Sequence, residues 1–165
     1  MSADESIFDD PQIRRRLDAA RGYCELNLPK LAWEEVEPLV QEFEDVREVI
    51  EVELMVVMQL HDWPRALDIA RRLREHHPQH PAGWLQTAYC LHELKRTQEA
   101  LEVLTSAPRA LRKEPLFHYN CACYFAVLQQ PREALSALRR AIELAPDFKA
   151  HALRDPDLAD LRGQL

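Results

Sequence analysis

Glycine is nearly missing from this 165-residue chain, with three in all, and no Walker loop, G-x-S-x-G elbow or HExxH pair occurs. The common signatures of nucleotide hydrolysis, serine hydrolysis and zinc proteolysis are therefore excluded. No apolar run approaches the roughly 18 uncharged residues that a membrane-spanning helix needs. The first residues, MSADESIFDDP, lack a basic stretch and an apolar stretch, so no secretory leader is expected, and the expected location is cytoplasmic. The four cysteines, Cys24, Cys90, Cys121 and Cys123, form no CxxC pair and fit no zinc-finger spacing. Cys121 and Cys123 point to different sides of a regular helix and cannot chelate together from it. All four read as small apolar residues of a reducing compartment. His76 and His77 likewise diverge by about 100° on a helix and read, with His80, as polar helix-end residues. No metal or other cofactor is expected.

A basic surface is lacking too. The formal charge is −7, and residues 1–46 account for it, with 12 acidic against 5 basic side chains. Nucleic acid is an unsuitable partner for such a chain. The acidic N-terminal stretch reads first as a solvated helix face and, more sharply, as a docking site for a basic partner.

What is present is helical and periodic. Stepping back by 34 residues from Ala134 meets Ala100, Ala66 and Ala32; stepping back from Leu128 meets Leu94, Leu60 and Leu26. The blocks are 13–46, 47–80, 81–114 and 115–148, with a C-terminal segment over 149–165. Each block predicts two antiparallel helices that meet at the small residue. Asp10-Pro11 and Asp62 supply N-caps. Pro38 predicts a kink or break in the second helix of the first block. Leu54 stands where the repeat usually has a small residue, so looser helix packing is expected in the second block. Pro108 ends a helix near Ser106 and leaves a linker or one extra turn over 108–114. Phe148, Leu153, Leu158 and Leu161 supply a buried face for the C-terminal segment, and Asp155-Pro156 starts a short helix.

The third block carries Trp84, Ala88, Leu91, Ala100, Leu104 and Ala107 at spacings 4, 8, 11, 20, 24 and 27, and the fourth carries Tyr119-Asn120, Ala122, Ala134, Ala141 and Pro146. These blocks resemble the tetratricopeptide repeat (TPR). The end, with its ACY helix and DPDL segment, resembles that of bacterial TPR proteins. The resemblance implies an all-α, right-handed superhelix of four helix-turn-helix repeats in one domain over 1–165, closed by a C-terminal cap.

It also implies a function. In such arrays, positions 5, 9 and 12 of each first helix line a concave groove that binds a protein or peptide. Here these are Leu17, Arg21 and Cys24; Glu51, Met55 and Met58; Leu85, Tyr89 and His92; and Tyr119, Cys123 and Ala126. They are expected to be partly exposed until a partner covers them, with Tyr89 and Tyr119 as aromatic anchors. The alternatives are that the C-terminal segment folds into the groove, or that these residues are ordinary packing surface. Leu17, Arg21, Val52, Ala82 and Gln86 replace the residues that clamp chaperone C-termini in one TPR class, so that partner is not expected. Cys123 and His92 could meet as a minimal Cys-His pair, yet no enzyme is expected. The reading is an adaptor or assembly scaffold for a protein of unknown identity, acting on neither nucleic acid nor membrane. The alternatives are a chaperone of the type III secretion kind and a self-associating structural module, which would make a homo-oligomer.

Overall fold

Packing in the first part of the chain centres on ten apolar residues from the first three helices and the turn before the third. Leu17, Ala20, Cys24, Ala32, Val36, Leu39, Val46, Val49, Val52 and Val56 form one buried cluster, joined by Ile13, Tyr23, Trp33, Val40 and Phe43. The computed structural model describes residues 10–164. Its described helices are α1 (Pro11–Glu25), α2 (Pro29–Glu42), α3 (Arg47–Gln59), α4 (Trp63–His76), α5 (Pro81–Glu93), α6 (Thr97–Ser106), α7 (Pro115–Val127), α8 (Pro131–Leu144) and α9 (Phe148–Ala152). Two 3-10 segments, Arg109–Lys113 and Pro156–Gln164, complete them, and no strand occurs among the described residues. The chain divides into two compact units at Gly83–Trp84, within α5.

The 34-residue period is written into the backbone as well as the side chains. Ala32, Ala66, Ala100 and Ala134 are each fully buried, as close helix approach demands. The leucines in register with them behave differently. Leu26 is 69% exposed and Leu60 40%, because each sits at the helix C-cap rather than in the core. The residue after each leucine, Asn27, His61, Lys95 and Gln129, adopts a left-handed φ of 56–62°. At every one of these turns the next amide donates five residues back: Leu28 to Tyr23, Asp62 to Val57, Arg96 to Leu91 and Gln130 to Phe125. This is the Schellman closure, here built four times without glycine.

Other expectations meet specific outcomes. Asp10 accepts the Gln12 amide at 2.7 Å and Asp62 accepts the Arg65 amide at 3.3 Å, so both cap as expected. Pro38 does not break α2. Val36 and Leu39 are buried on either side of it and hold the helix to its neighbours. Leu54 is accommodated as a buried residue. Gly83 is required by close approach, since a Cβ there would come within 2.7 Å of the Arg74 backbone. Pro108 leads into the single 3-10 turn that its position suggests.

Unit 1 also buries a charge. Glu53 is 3% exposed on α3. It pairs with Arg72 and lies 3.7 Å from Arg65, both on α4. The Arg65 guanidinium in turn sits 4.1 Å over the Trp33 ring of α2. The carboxylate thereby links α3 to α4, and Arg65 carries the link on to α2.

Candidate functional site

The first-helix positions divide by environment. In unit 1, Leu17 and Cys24 are buried in the core. Arg21 is half-buried and pairs with Glu48 of α3 and with Asp18 at 3.3 Å. Glu51 meets Arg47 and His80, each at 3.3 Å. Met55 is 40% exposed and Met58 half-buried. The exposed part of this face is therefore a methionine surface with paired charges beside it. Methionine is unbranched and polarisable and adapts to varied apolar partners.

His76 and His77 lie against the loop before α3. His76 Nδ1 is 3.2 Å from a carboxylate oxygen of Asp45, and the ring of His77 lies 2.9 Å from the Asp45 carbonyl. They act as helix-end groups, as their spacing suggests.

Unit 2 differs. Leu85, His92, Tyr119 and Cys123 are buried, while Tyr89 and Ala126 are half-buried. The expectation of partial exposure therefore fails at Leu17, Cys24, Leu85, His92, Tyr119 and Cys123. The first two of these belong to the core cluster of unit 1, and the third is buried on α5. The other three have a different cover, the C-terminal segment. The Tyr119 hydroxyl donates to Oδ2 of Asp155 at 2.8 Å, and the Cys123 thiol donates to the same oxygen at 3.6 Å. His92 Nε2 lies 2.9 Å from Oδ2 of Asp157, and its Nδ1 lies 3.0 Å from the Thr97 hydroxyl. The His92 ring rests on Tyr124, with centroids 4.9 Å apart. Phe148 rests on Tyr119 at 4.7 Å.

Asp155 shapes the segment itself. Its Oδ1 accepts the Asp157 amide at 3.0 Å, and its carbonyl accepts from Arg162 at 3.2 Å. The turn so made leads into the 3-10 helix Pro156–Gln164. Leu158 and Leu161, three residues apart on a helix of three residues per turn, fall on one face and are buried. Leu153 is 47% exposed and does not join the buried face; Ala152 is buried in its place. The short α9 turns its small residue inward where space is limited.

The chemistry of this cluster is hydrogen bonding. Burial foremost, then the bond to Asp155, pushes the Tyr119 hydroxyl well above its ordinary range. Burial foremost, then the charge of Asp155, does the same for the Cys123 thiol. Both groups keep their protons at neutral pH and serve as donors to carboxylates. A thiol held protonated is a poor nucleophile, and His92 is engaged by Thr97 and Asp157, so the two do not make an activated pair. Cys123, Asp155 and Asp157 each bring one ligand atom within 4.8 Å of the others. In this structure one carboxylate oxygen of Asp155 accepts from Tyr119 and Cys123 and the other accepts the Asp157 amide. Sequence reasoning named His92, Tyr119 and Cys123 but not Asp155 and Asp157. The signal was an Asp-x-Asp pair in a segment that covers a face bearing Tyr119, Cys123 and His92.

On the outer side of unit 2, a shallow crevice between α7 and α8 is lined by His118, Phe125, Arg132, Ser136 and Arg140. Arg140 is paired with Glu143 at 3.0 Å.

Residues 57–120 match the family model of the tetratricopeptide repeat. The fold is that of TPR proteins. No curated protein matches the chain. Among solved structures it resembles residues 41 to the end of MamA from Desulfovibrio magneticus RS-1, with a TM-score of 0.72 at 15% identity over 88% of this chain and 82% of that one. It resembles TTC0263, a thermophilic TPR protein of Thermus thermophilus, with a TM-score of 0.72 at 20% identity over 86% and 77%. YrrB, described as a TPR protein with an unusual peptide-binding site, superposes with a TM-score of 0.69 at 20% identity over 91% and 73%. At these identities the likeness speaks for the fold, an all-helical TPR solenoid. Among the described residues, no helix is long and apolar enough to cross a membrane.

Proposed function

We propose that this chain is a protein-interaction module in which positions 5, 9 and 12 of the first helices bind a partner peptide or helix, as an adaptor or assembly scaffold. One observation carries the reading. In unit 2 this face already holds a length of polypeptide, with two carboxylates bonded to Tyr119, Cys123 and His92 and two leucines buried behind them. A surface that seats its own chain through side-chain contacts has the chemistry to seat another. The peptide-binding site named for YrrB, a protein of like fold, supports the same use. In unit 1 the exposed Met55 and half-buried Met58 offer apolar contact between charged flanks. The reading of 1–165 as one working domain, and of the ACY and DPDL features as a bacterial closing end, belongs to this proposal.

The test begins with a partner recovered by cross-linking and mass spectrometry. Titration calorimetry then compares wild type with the double variant Met55→Ala and Met58→Ala. The expected loss is about 5–30-fold, the range for truncating contacts near the centre of an interface. Arg139→Ala, exposed on α8, serves as control and is expected to leave affinity unchanged. Equal affinity for the methionine variant with loss in the control would move the site to the outer face.

A further inference from the structure

The C-terminal segment does more than cover apolar surface. Asp155 bonds to Tyr119 and Cys123 of α7, whereas Asp157, two residues on, lies against His92 of α5. Leu158 and Leu161 follow on the buried face, at 0% and 3% exposure. Four side chains at fixed spacing thus meet a site that reads each of them. The pattern is Asp-x-Asp-Leu-x-x-Leu.

We propose that this face of unit 2 is a recognition site for an acidic, leucine-bearing segment of that pattern in a partner protein, and that residues 155–161 hold it in cis until the partner displaces them. The inference rests on the interaction reading above and names its partner by chemistry. Three features support it. The site presents a hydroxyl, a thiol and an imidazole, donors suited to carboxylates and unsuited to a basic segment. Tyr119 and Cys123 carry their protons at neutral pH, and burial raises both further, so each is a donor placed against a carboxylate oxygen. The occupant is a 3-10 helix, whose hydrogen bonds are poorer than those of an α-helix. It is seated by side chains rather than by a backbone ladder, and such elements open locally at lower cost than a core helix. The competing partner must overcome the high effective concentration of a segment in cis.

The test uses the full chain and a fluorescent peptide of residues 147–165. The variant Asp155→Asn with Asp157→Asn weakens the segment in cis while leaving the site intact. It is expected to bind the peptide at least tenfold more tightly than wild type does. Adding Tyr119→Phe and His92→Ala to that variant should lower the affinity by about tenfold, and a peptide with Asn at both Asp positions should bind at least tenfold more weakly. A second measurement needs no variant. Excess peptide added to wild type should raise hydrogen exchange at 156–161 while exchange in α7 and α8 stays unchanged. Failure of the peptide to bind the Asn variant, with its helical circular dichroism intact, overturns the proposal. If that variant loses its helical signal, the wild-type exchange experiment decides, and unchanged exchange overturns it. A doubled mass for wild type by light scattering, dissolved by the peptide, would make the occupant a second copy and also overturn it. In any of these outcomes the methionine test of the interaction reading stands separately, since Met55 and Met58 lie in unit 1.

Discussion

Helix α3 in unit 1 and helix α7 in unit 2 occupy the same place in the repeat and have different fates. At position 9, α3 carries Met55, 40% exposed, and α7 carries Cys123, 6% exposed. At position 5, Glu51 is half-buried among Arg47 and His80, whereas Tyr119 is buried beneath Phe148 and bonded to Asp155. The repeat sets which way each side chain points. What lies in front of it comes from elsewhere in the chain. At these first-helix positions unit 1 settles Arg21 and Glu51 by ion pairs, and unit 2 settles Tyr119, Cys123 and His92 by bonds to a non-repeating segment.

The contrast can be broken most forcefully at Leu158. It is fully buried, and Leu158→Ala is expected to cost about 2–5 kcal/mol by lost transfer and cavity terms. Met55→Ala in unit 1 should cost less than about 1 kcal/mol, because much of that side chain is already in water. Urea midpoints of the two variants check this, and equal shifts would mean that the segment contributes no more than an exposed residue.

Next in size is Glu53→Gln, which leaves Arg72 and Arg65 facing a neutral group in a nearly closed site. The expected loss is roughly 1–3 kcal/mol, kept modest because both arginines are partly exposed. A thermal melt with no shift would show that the carboxylate does not tie the helices.

Alkali should separate the units. Burial pushes the thiols of Cys90 and Cys121 up to about 12 from an ordinary 9.0. Between those values the unfolded chain has released protons that the folded chain retains, so stability is full below pH 9 and falls as pH rises toward 12. Tyr119, Tyr124 and Cys123 are shifted in the same direction. Unit 1 has Cys24, raised by burial, as its only thiol. Hydrogen exchange followed from pH 8 upward should therefore show protection lost first in unit 2. Loss first in α1–α3 would contradict the assignment.

The smallest effect tests what the units share. Gln129→Gly should stabilise by about 1 kcal/mol, since glycine accepts the left-handed turn without the side-chain penalty. Asn27→Gly should gain much less, because asparagine tolerates that conformation. Equal gains in denaturation midpoint would show that the two turns do not differ in strain.

Much of this architecture was legible in advance because it depends on local, repeated chemistry. Alanine at 34-residue intervals requires close helix pairs, Asp10 and Asp62 cap the helices that follow them, and Pro78, Pro108 and Pro146 come just after helix ends. Those relations act over a few residues, or over one repeated contact, and the amino-acid order alone determines them. The Leu-x5-Ala register marks a repeat, yet Leu26, Leu60 and Leu128 sit at helix C-caps, which depends on where each helix stops. The tertiary structure alone decided that Glu53 is buried between two arginines and that Leu153 faces water. It also decided that His92, from the third repeat, and Tyr119 and Cys123, from the fourth, meet the two carboxylates of one short segment. Sequence spacing fixes the direction of a side chain around its own helix, but the cover over that face comes from a segment more than thirty residues on from Tyr119 and Cys123 and more than sixty on from His92, and nothing periodic announces where such a segment will settle.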